Sequence, residues 1–385
     1  MQDRSVIQIV DALLHNAIER GASDIHLESC QDGLRVRLRI DGILYDHAFF
    51  DTMLMPQIIS RIKVLAHIDI AQKRIPQDGK FQIADDERQI DLRISTFPTL
   101  FGQKMVIRIL DPSEKTINIA RLGMSSHVLS QFEQLLREPQ GFFLVTGPTG
   151  SGKTTTLYAG LSHINTVDKN IITLEDPIEY HIEGITQGHI HPEAGFTFEK
   201  GMRSLLRQDP DIVMVGEIRD AQTARIAIQA AMTGHSVLST LHTNDAPSVI
   251  MRLMDMGIEP FLINASLSGI LAQRLVRLLC SACKTERNLT EKEQEFCDMH
   301  GIEMQTVCES QGCQDCFDVG HKGRIGIFEL VTLNDAMRAL ISHNPSIDDI
   351  RAQAKRDGTV SLLYDGFEKV KQGDISLHEL LRVVT

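Results

Sequence analysis

Residues 147–154 read Gly147-Pro148-Thr149-Gly150-Ser151-Gly152-Lys153-Thr154, an unbroken G-x-x-x-x-G-K-T. The apolar run Phe142-Phe143-Leu144-Val145 precedes it, and a helix-like stretch, Thr155 to Leu161, follows. Strand, glycine-rich loop and helix in that order let backbone N–H groups curl around phosphate oxygens. The N-terminus of the helix adds partial positive charge. Lys153 brings a full charge to the β- and γ-phosphates, and the Thr154 hydroxyl suits Mg²⁺. Gly147 to Thr154, together with Thr155, are therefore nucleotide-binding candidates. A glycine-rich turn before a helix is the plainer alternative.

Outward from this loop, apolar strand-like runs alternate with helical segments from about 120 to 280. The strands expected are 142–146, 170–174, 211–215 and 235–240. Alternation of this kind around a phosphate loop implies a mostly parallel sheet covered by helices, an α/β class. Upstream, Val6, Ile9, Val10, Leu13, Leu14, Ala17 and Ile18 form a helical stripe that Gly21 is placed to stop. Leu34 to Ile40 alternates strictly, with Arg35, Arg37 and Arg39 on one face, and Asp41-Gly42 marks a hairpin turn. A helix is expected over 56–68 and strands over 88–95 and 104–110. This first α/β domain ends near Leu110, and Asp111-Pro112-Ser113-Glu114-Lys115 reads as a linker.

The chain has 385 residues, enough for two or three domains with their own cores. Its formal net charge is −12 and no region is basic, which disfavours a nucleic-acid motor. No run of about 18 apolar residues exists, and Met1-Gln2-Asp3-Arg4 lacks the apolar core of a signal peptide. A cytosolic location is expected. Seven cysteines in that compartment are ligands or buried thiols sooner than disulfides.

Four further segments carry chemistry. Asp211-Ile212-Val213-Met214-Val215-Gly216-Glu217 is an apolar strand ending in an acid, where a nucleoside triphosphatase places a water-polarising carboxylate. A glycine stands where many such enzymes carry an aspartate, so Glu217 must do most of the work. Ile171 to Glu179 ends another strand in acids, and Glu175 and Asp176 could orient water or metal there. A solvated loop is the equal alternative. Thr233 to His242 carries histidines at both ends of a strand, and His242 either senses the γ-phosphate or is structural. Cys280-x-x-Cys283 and Cys313-x-x-Cys316 have the form of two zinc knuckles that bring four thiolates to one structural ion. A helix such as 290–300 would fill the gap between them; four buried thiols or a redox pair are the alternatives. Cys30, Cys297 and Cys308 read as ordinary core or surface cysteines. Arg203 and Arg207, four apart on an expected helix, and Arg219 can neutralise a transferring phosphate or form surface ion pairs.

Together these pieces resemble the secretion and pilus-assembly ATPases, specifically the type II secretion ATPase (GspE class) and its type IV pilus-extension relative. The resemblance covers nearly the whole chain. It rests on Gly147–Thr154, Ile171–Glu179, Val213–Asp220, Thr233–His242, the paired C-x-x-C knuckles and the run Gly323–Leu330. The segment Met256–Leu262 followed by Ala272–Arg277 is more similar to the secretion branch. The glycine before Glu217 is this family's own pattern.

The resemblance implies a PAS-like N-terminal α/β domain over 1–110 that contacts nucleotide, and a linker over 111–120. A RecA-like P-loop core over 121–279, a zinc subdomain over 280–325 and C-terminal helices over 326–385 follow. It implies ATP, Mg²⁺ and Zn²⁺, and a homohexamer peripheral to the inner membrane through secretion-platform proteins. ATP hydrolysis would power pseudopilus assembly. It raises Glu175 and His242 to catalytic-site residues beside Glu217 and Lys153. It also makes Arg93 and Arg108 arginines that reach toward the nucleotide from the first domain. Arg203, Arg207, Arg219, Arg252 and Arg324 fall at positions where the family carries functional arginines. Arg35, Arg37 and Arg39 stay a solvated or subunit-contacting face. Relatives of this branch carry a further N-terminal domain that docks on the platform. The sequence starts almost directly at its first helix, which leaves recruitment through such a domain open.

Overall fold

A computed structural model describes residues 5–85, 88–110 and 118–384. The chain divides into two compact units, Met1–Thr116 and Ile117–Thr385. The linker segment Asp111–Lys115 lies outside the described residues.

In the first unit, helix α1 (Val6–Glu19) starts at a capping box. The Ser5 hydroxyl accepts from the Gln8 N–H, and the Gln8 side chain returns to the Ser5 N–H at 3.0 Å. Val10, Leu13, Leu14 and Ala17 are the buried face of its stripe. The chain then runs through β1 (Ala22–Cys30), β2 (Gly33–Ile40), β3 (Ile43–Asp51), α2 (Met55–Leu65), β4 (Gln77–Asp85), β5 (Arg88–Thr99) and β6 (Gly102–Leu110). The six strands form one antiparallel sheet in the order β3-β2-β1-β6-β5-β4. Asp41 and Gly42 both take positive φ, 47° and 85°, as the tight turn between β2 and β3 requires. The arginine face of β2 is charge-matched by its neighbours. Arg35 pairs with Asp46 at 2.6 Å and Arg37 with Glu28 at 2.8 Å, while Arg39 approaches Asp24 at 3.8 Å.

The second unit opens with α3 (Ser126–Arg137), β7 (Gly141–Thr146), α4 (Lys153–Ile164), β8 (Ile171–Glu175) and β9 (Thr186–His189). There follow α5 (Phe198–Leu205), β10 (Ile212–Val215), α6 (Ala221–Met232), β11 (Ser236–Leu241), α7 (Pro247–Asp255) and α8 (Pro260–Ser266). A long strand, β12 (Leu267–Leu279), leads into β13 (Lys284–Asn288), α9 (Glu291–Met299) and β14 (Thr306–Ser310). Finally come β15 (His321–Thr332), α10 (Asp335–Ile341), α11 (Ile347–Arg356), α12 (Leu362–Lys371) and α13 (Leu377–Val384).

Seven strands form the main sheet in the order β15-β12-β7-β11-β10-β8-β9, parallel throughout except for β15. Strand β7 explains why a continuous apolar run becomes a central strand. Phe142 and Leu144 face one core and Phe143 and Val145 the other, so both faces are buried. Each such side chain contributes about 1.5–3 kcal/mol. The phosphate loop leaves the carboxyl end of β7, and β11 and β12 pair on either side of that strand. That is the strand-order reversal where open α/β sheets bind ligands.

Strand limits differ from the sequence expectation by a residue or so at the core strands. Two differences are larger. The segment beginning at 326 was expected to be mostly helical, yet Gly326 to Thr332 belongs to β15. Ile325 and Ile327 there pair with Val276 and Arg274 of β12, and the apolar residues are buried by sheet pairing before the helices α10–α13 begin. Arg203 and Arg207 were expected on one helix, but α5 ends at Leu205. The chain turns at Leu206, and the Arg207 guanidinium donates to the Arg203 carbonyl at 2.6 Å.

The C-terminal helices are anchored on β12. Glu379 of α13 is fully buried; it accepts from the Arg277 N–H at 3.0 Å and from the Arg277 and Arg382 guanidinium groups at 2.8 Å. No described helix is long and apolar enough to cross a membrane.

Candidate nucleotide site and metal centre

The loop between β7 and α4 is shaped by close approach. Gly147 has φ 148°, and a Cβ there would stand 2.5 Å from the Gln273 carbonyl oxygen and 2.5 Å from Ser151 Oγ. Only glycine fits. Gly152 caps α4 in the left-handed region, φ 86°, with no side-chain cap. The first N–H groups of α4 are thus left to an anion.

Strand β12 supports the loop from the side. The buried Gln273 amide donates to the Ser151 carbonyl at 2.6 Å, and Arg274 donates to the Asn244 carbonyl at 2.6 Å. Both fall in the family-like segment Ala272–Arg277, but the sequence reading gave neither a role at the site. Two adjacent polar residues inside a mostly apolar strand were the available signal.

Lys153 is 9 % exposed, and its ammonium donates to the carbonyls of Gly147 at 2.9 Å and Pro148 at 3.1 Å. Burial pushes its pKa down to about 8, against the opposing pull of Glu217. A cavity of about 440 Å³ opens beside it, lined by Thr149, Gly150, Thr154, Thr155, Asp176, Phe198, Glu217 and His242 among others. That volume is in the range of sites for small ligands.

Glu217 stands just beyond β10. The turn is held by Gly216 N–H to the Leu174 carbonyl at 2.8 Å and by Ile218 N–H to the Thr240 carbonyl at 2.9 Å. One carboxylate oxygen of Glu217 accepts from Arg219, and the other lies 3.5 Å from His242 Nε2. Arg219 also approaches Asp176 at 3.7 Å. Burial would raise the Glu217 pKa, but the Arg219 hydrogen bond and the Arg219 and His242 charges hold it below the usual carboxylate range. Three separate segments, 171–179, 213–220 and 233–242, therefore converge on one acid–arginine–histidine cluster facing the phosphate loop.

Glu175 is placed differently from its neighbour Asp176. It is 2 % exposed and hydrogen-bonded by Tyr158, by Thr173 at 2.5 Å and by Gln187 at 3.2 Å. Arg203 and Arg207 lie exposed outside the cavity, and Arg203 pairs with Glu199 at 3.4 Å. In the first unit, Arg93 faces Arg108 across β5 and β6, where the two line a second cavity of about 570 Å³ with Lys80. Arg108 pairs with Asp24 at 3.1 Å. Arg252 and Arg324 are exposed.

The two C-x-x-C pairs come together in space. Cys280 follows β12, while Cys313 and Cys316 precede β15, and the β13–β14 hairpin carries α9 between its strands. All four sulfurs lie within 4.8 Å of one another. Sulfur separations are 3.8 Å for Cys280–Cys313, 3.9 Å for Cys283–Cys316 and 3.7 Å for Cys313–Cys316. A tetrahedron with zinc–sulfur bonds of about 2.3 Å has edges near 3.8 Å, so the four residues fit a Cys₄ ion. Backbone N–H groups of Cys313 and Gly320 point to the Cys316 sulfur, both at 3.2 Å. Of the other cysteines, Cys297 is buried, and Cys30 and Cys308 are half-buried.

The family described as type II/IV secretion system protein matches residues 1–382. The type II secretion system protein E of Pseudomonas aeruginosa is 48 % identical over 381 residues, covering 99 % of this chain and 76 % of that protein. The type IV pilus assembly ATPase PilB of Myxococcus xanthus is 45 % identical over 384 residues, covering 98 % of this chain and 68 % of that one. Among solved structures, the pilus retraction motor PilT with bound ADP aligns with a TM-score of 0.63 at 25 % identity. That alignment covers 97 % of this chain and 96 % of PilT. The chain belongs to the type II/IV secretion system protein family.

Proposed function

We propose that this protein hydrolyses ATP to power pseudopilus assembly and protein export in a type II secretion system. One observation carries the reading: an intact phosphate loop faced by the Glu217–Arg219–His242 cluster across a cavity of ligand size. Lys153 leaves the loop carbonyls to hold phosphate oxygens. Thr154 is the residue that would hold Mg²⁺, which when bound neutralises charge on the transferring group. Glu217 accepts a proton from the attacking water, with Arg219 and His242 setting its orientation and charge. Its depressed pKa keeps it ionised and ready to do so at neutral pH. Cys280, Cys283, Cys313 and Cys316 would hold Zn²⁺, a structural ion that when bound ties β12 to the start of β15.

The working form in this reading is a cytoplasmic homohexamer recruited to the inner membrane by platform proteins. The domain limits and the roles that the family resemblance implies for Arg93, Arg108, Arg203 and Arg207 belong to the same proposal. They are tested by substitution in the assembled form. Type IV pilus assembly is the second reading, favoured by the 45 % identity to a pilus assembly ATPase. Co-purification with a secretion platform protein, and not a pilus one, separates the two.

The central test is turnover by the oligomer. Glu217→Gln is expected to bind ATP and lose about 100-fold or more of kcat. Hydrolysis by that variant at the parent rate would sink the role of Glu217.

A further inference from the structure

Glu175 and Asp176 are adjacent acids at one strand end, but their surroundings are opposite. Asp176 joins the open cluster through Arg219 at 3.7 Å. Glu175 is 2 % exposed, and neither of its oxygens is free. Oε2 accepts from the hydroxyl of Tyr158; Oε1 accepts from Thr173 at 2.5 Å and from Gln187 at 3.2 Å. The donors come from three elements, α4, β8 and β9.

Each partner is itself held. Tyr158 is fully buried and meets Tyr180 edge-on at 4.7 Å. The Gln187 amide also donates to the Tyr180 carbonyl at 3.1 Å, and its oxygen accepts from the Ile182 N–H at 2.9 Å. Burial, and after it the Glu175 hydrogen bond, drives the Tyr158 pKa upward, so the phenol stays a donor at any ordinary pH. Tyr158 lies four residues after Thr154 and five after Lys153. On a helix that is about one turn away, so fixing Tyr158 fixes the rotation of α4 about its axis.

We propose that Glu175 is a positioning residue that binds Tyr158 and Gln187 to hold α4 at the angle at which Lys153 and Thr154 meet phosphate. The inference rests on the cavity being the ATP site. It separates Glu175 from water activation, which needs a carboxylate oxygen open to the nucleotide. Both acids line the cavity, but Glu175 is 2 % exposed with both oxygens hydrogen-bonded, whereas the Glu217 side chain keeps 22 % of its surface exposed.

The test compares Tyr158→Phe, Glu175→Ala and Glu175→Gln with the parent in steady-state ATP hydrolysis. Affinity for a fluorescent ATP analogue and Tm are measured alongside. Tyr158→Phe is expected to raise KM and the analogue Kd about 5-fold, with kcat within about 3-fold, because one hydrogen bond is worth about 1 kcal/mol. Glu175→Ala is expected to raise KM further and to lower Tm. Glu175→Gln is expected to recover most of both losses, since its amide can donate to the Tyr158 oxygen while its carbonyl accepts from Thr173 and Gln187. Loss of kcat in Glu175→Gln to the level of Glu217→Gln, at parental Kd and Tm, overturns the proposal, as does a parental Kd in Tyr158→Phe. Absence of turnover in the parent would instead count against the ATPase reading, and the Kd comparison would still decide the role of Glu175.

Discussion

Lys153 should make ATP binding lose strength as pH rises above 8. Its ammonium is buried between two carbonyls and pairs with no carboxylate among the described residues, and burial places its pKa at about 8 in the free protein. Phosphate oxygens favour the charged form, so binding restores the proton. One unit above that pKa only about a tenth of the free protein carries the charge, so affinity at pH 9 should be about 10-fold weaker than well below pH 8. The phosphate of ATP has finished ionising below this window, its second pKa lying near 6. Calorimetry in buffers of different ionisation enthalpy should find uptake of about 0.1 proton at pH 7 and about 0.9 at pH 9. The free fold responds with the opposite sign. A lysine pKa depressed by folding costs stability wherever both states are charged. That cost, up to about 3 kcal/mol, is relieved as pH rises from about 8 to the ordinary 10.5. Affinity that stays flat between pH 7.5 and 9.5, with no proton uptake, would refute the reasoning.

Gln273→Met should weaken nucleotide binding about 3- to 10-fold with a small change in Tm, because one hydrogen bond to the Ser151 carbonyl is lost while the volume is kept; equilibrium binding and thermal melts check it. Cys280→Ser should lower metal content from about one ion per chain and cost stability, since metal binding to such sites is coupled to folding; elemental analysis with denaturation checks it. Glu379 should make the second unit acid-labile. Its burial would raise its pKa, but hydrogen bonds from Arg382 and Arg277 hold it at about 2, against an ordinary 4.5. That contribution, up to about 3 kcal/mol, is complete above pH 4.5 and is lost as pH falls from there toward 2. Denaturant titrations of the parent and Glu379→Gln should therefore converge at low pH.

The nucleotide loop, the apolar parallel strands, the acid after β10 and the two cysteine pairs were legible because each is a local pattern. Spacing along the chain states the chemistry before any folding is considered. Gly147 to Thr154 shows this most simply, since its glycines and Lys153 answer needs within eight residues. The paired cysteines are only slightly less local, since two short knuckles require a single long-range meeting.

What stayed hidden depends on which elements become neighbours. From the residues alone Glu175 and Asp176 read as two acids that could each orient water or metal, and only the family resemblance singled out Glu175. Only the arrival of Tyr158 from α4 and Gln187 from β9 buries the first, while Arg219 draws the second into the cluster. Gln273 lies more than a hundred residues after the loop it supports, and pairing of β12 with β7 brings them together. Residues 326–332 join a strand because β12 offers them an edge. Composition and spacing determined the G-x-x-x-x-G-K-T loop and the two C-x-x-C pairs. The sheet order decided which acid at the cavity is locked in buried hydrogen bonds and which keeps exposed surface, because hydrogen bonding and burial are set by spatial neighbours, and sequence distance carries no record of them.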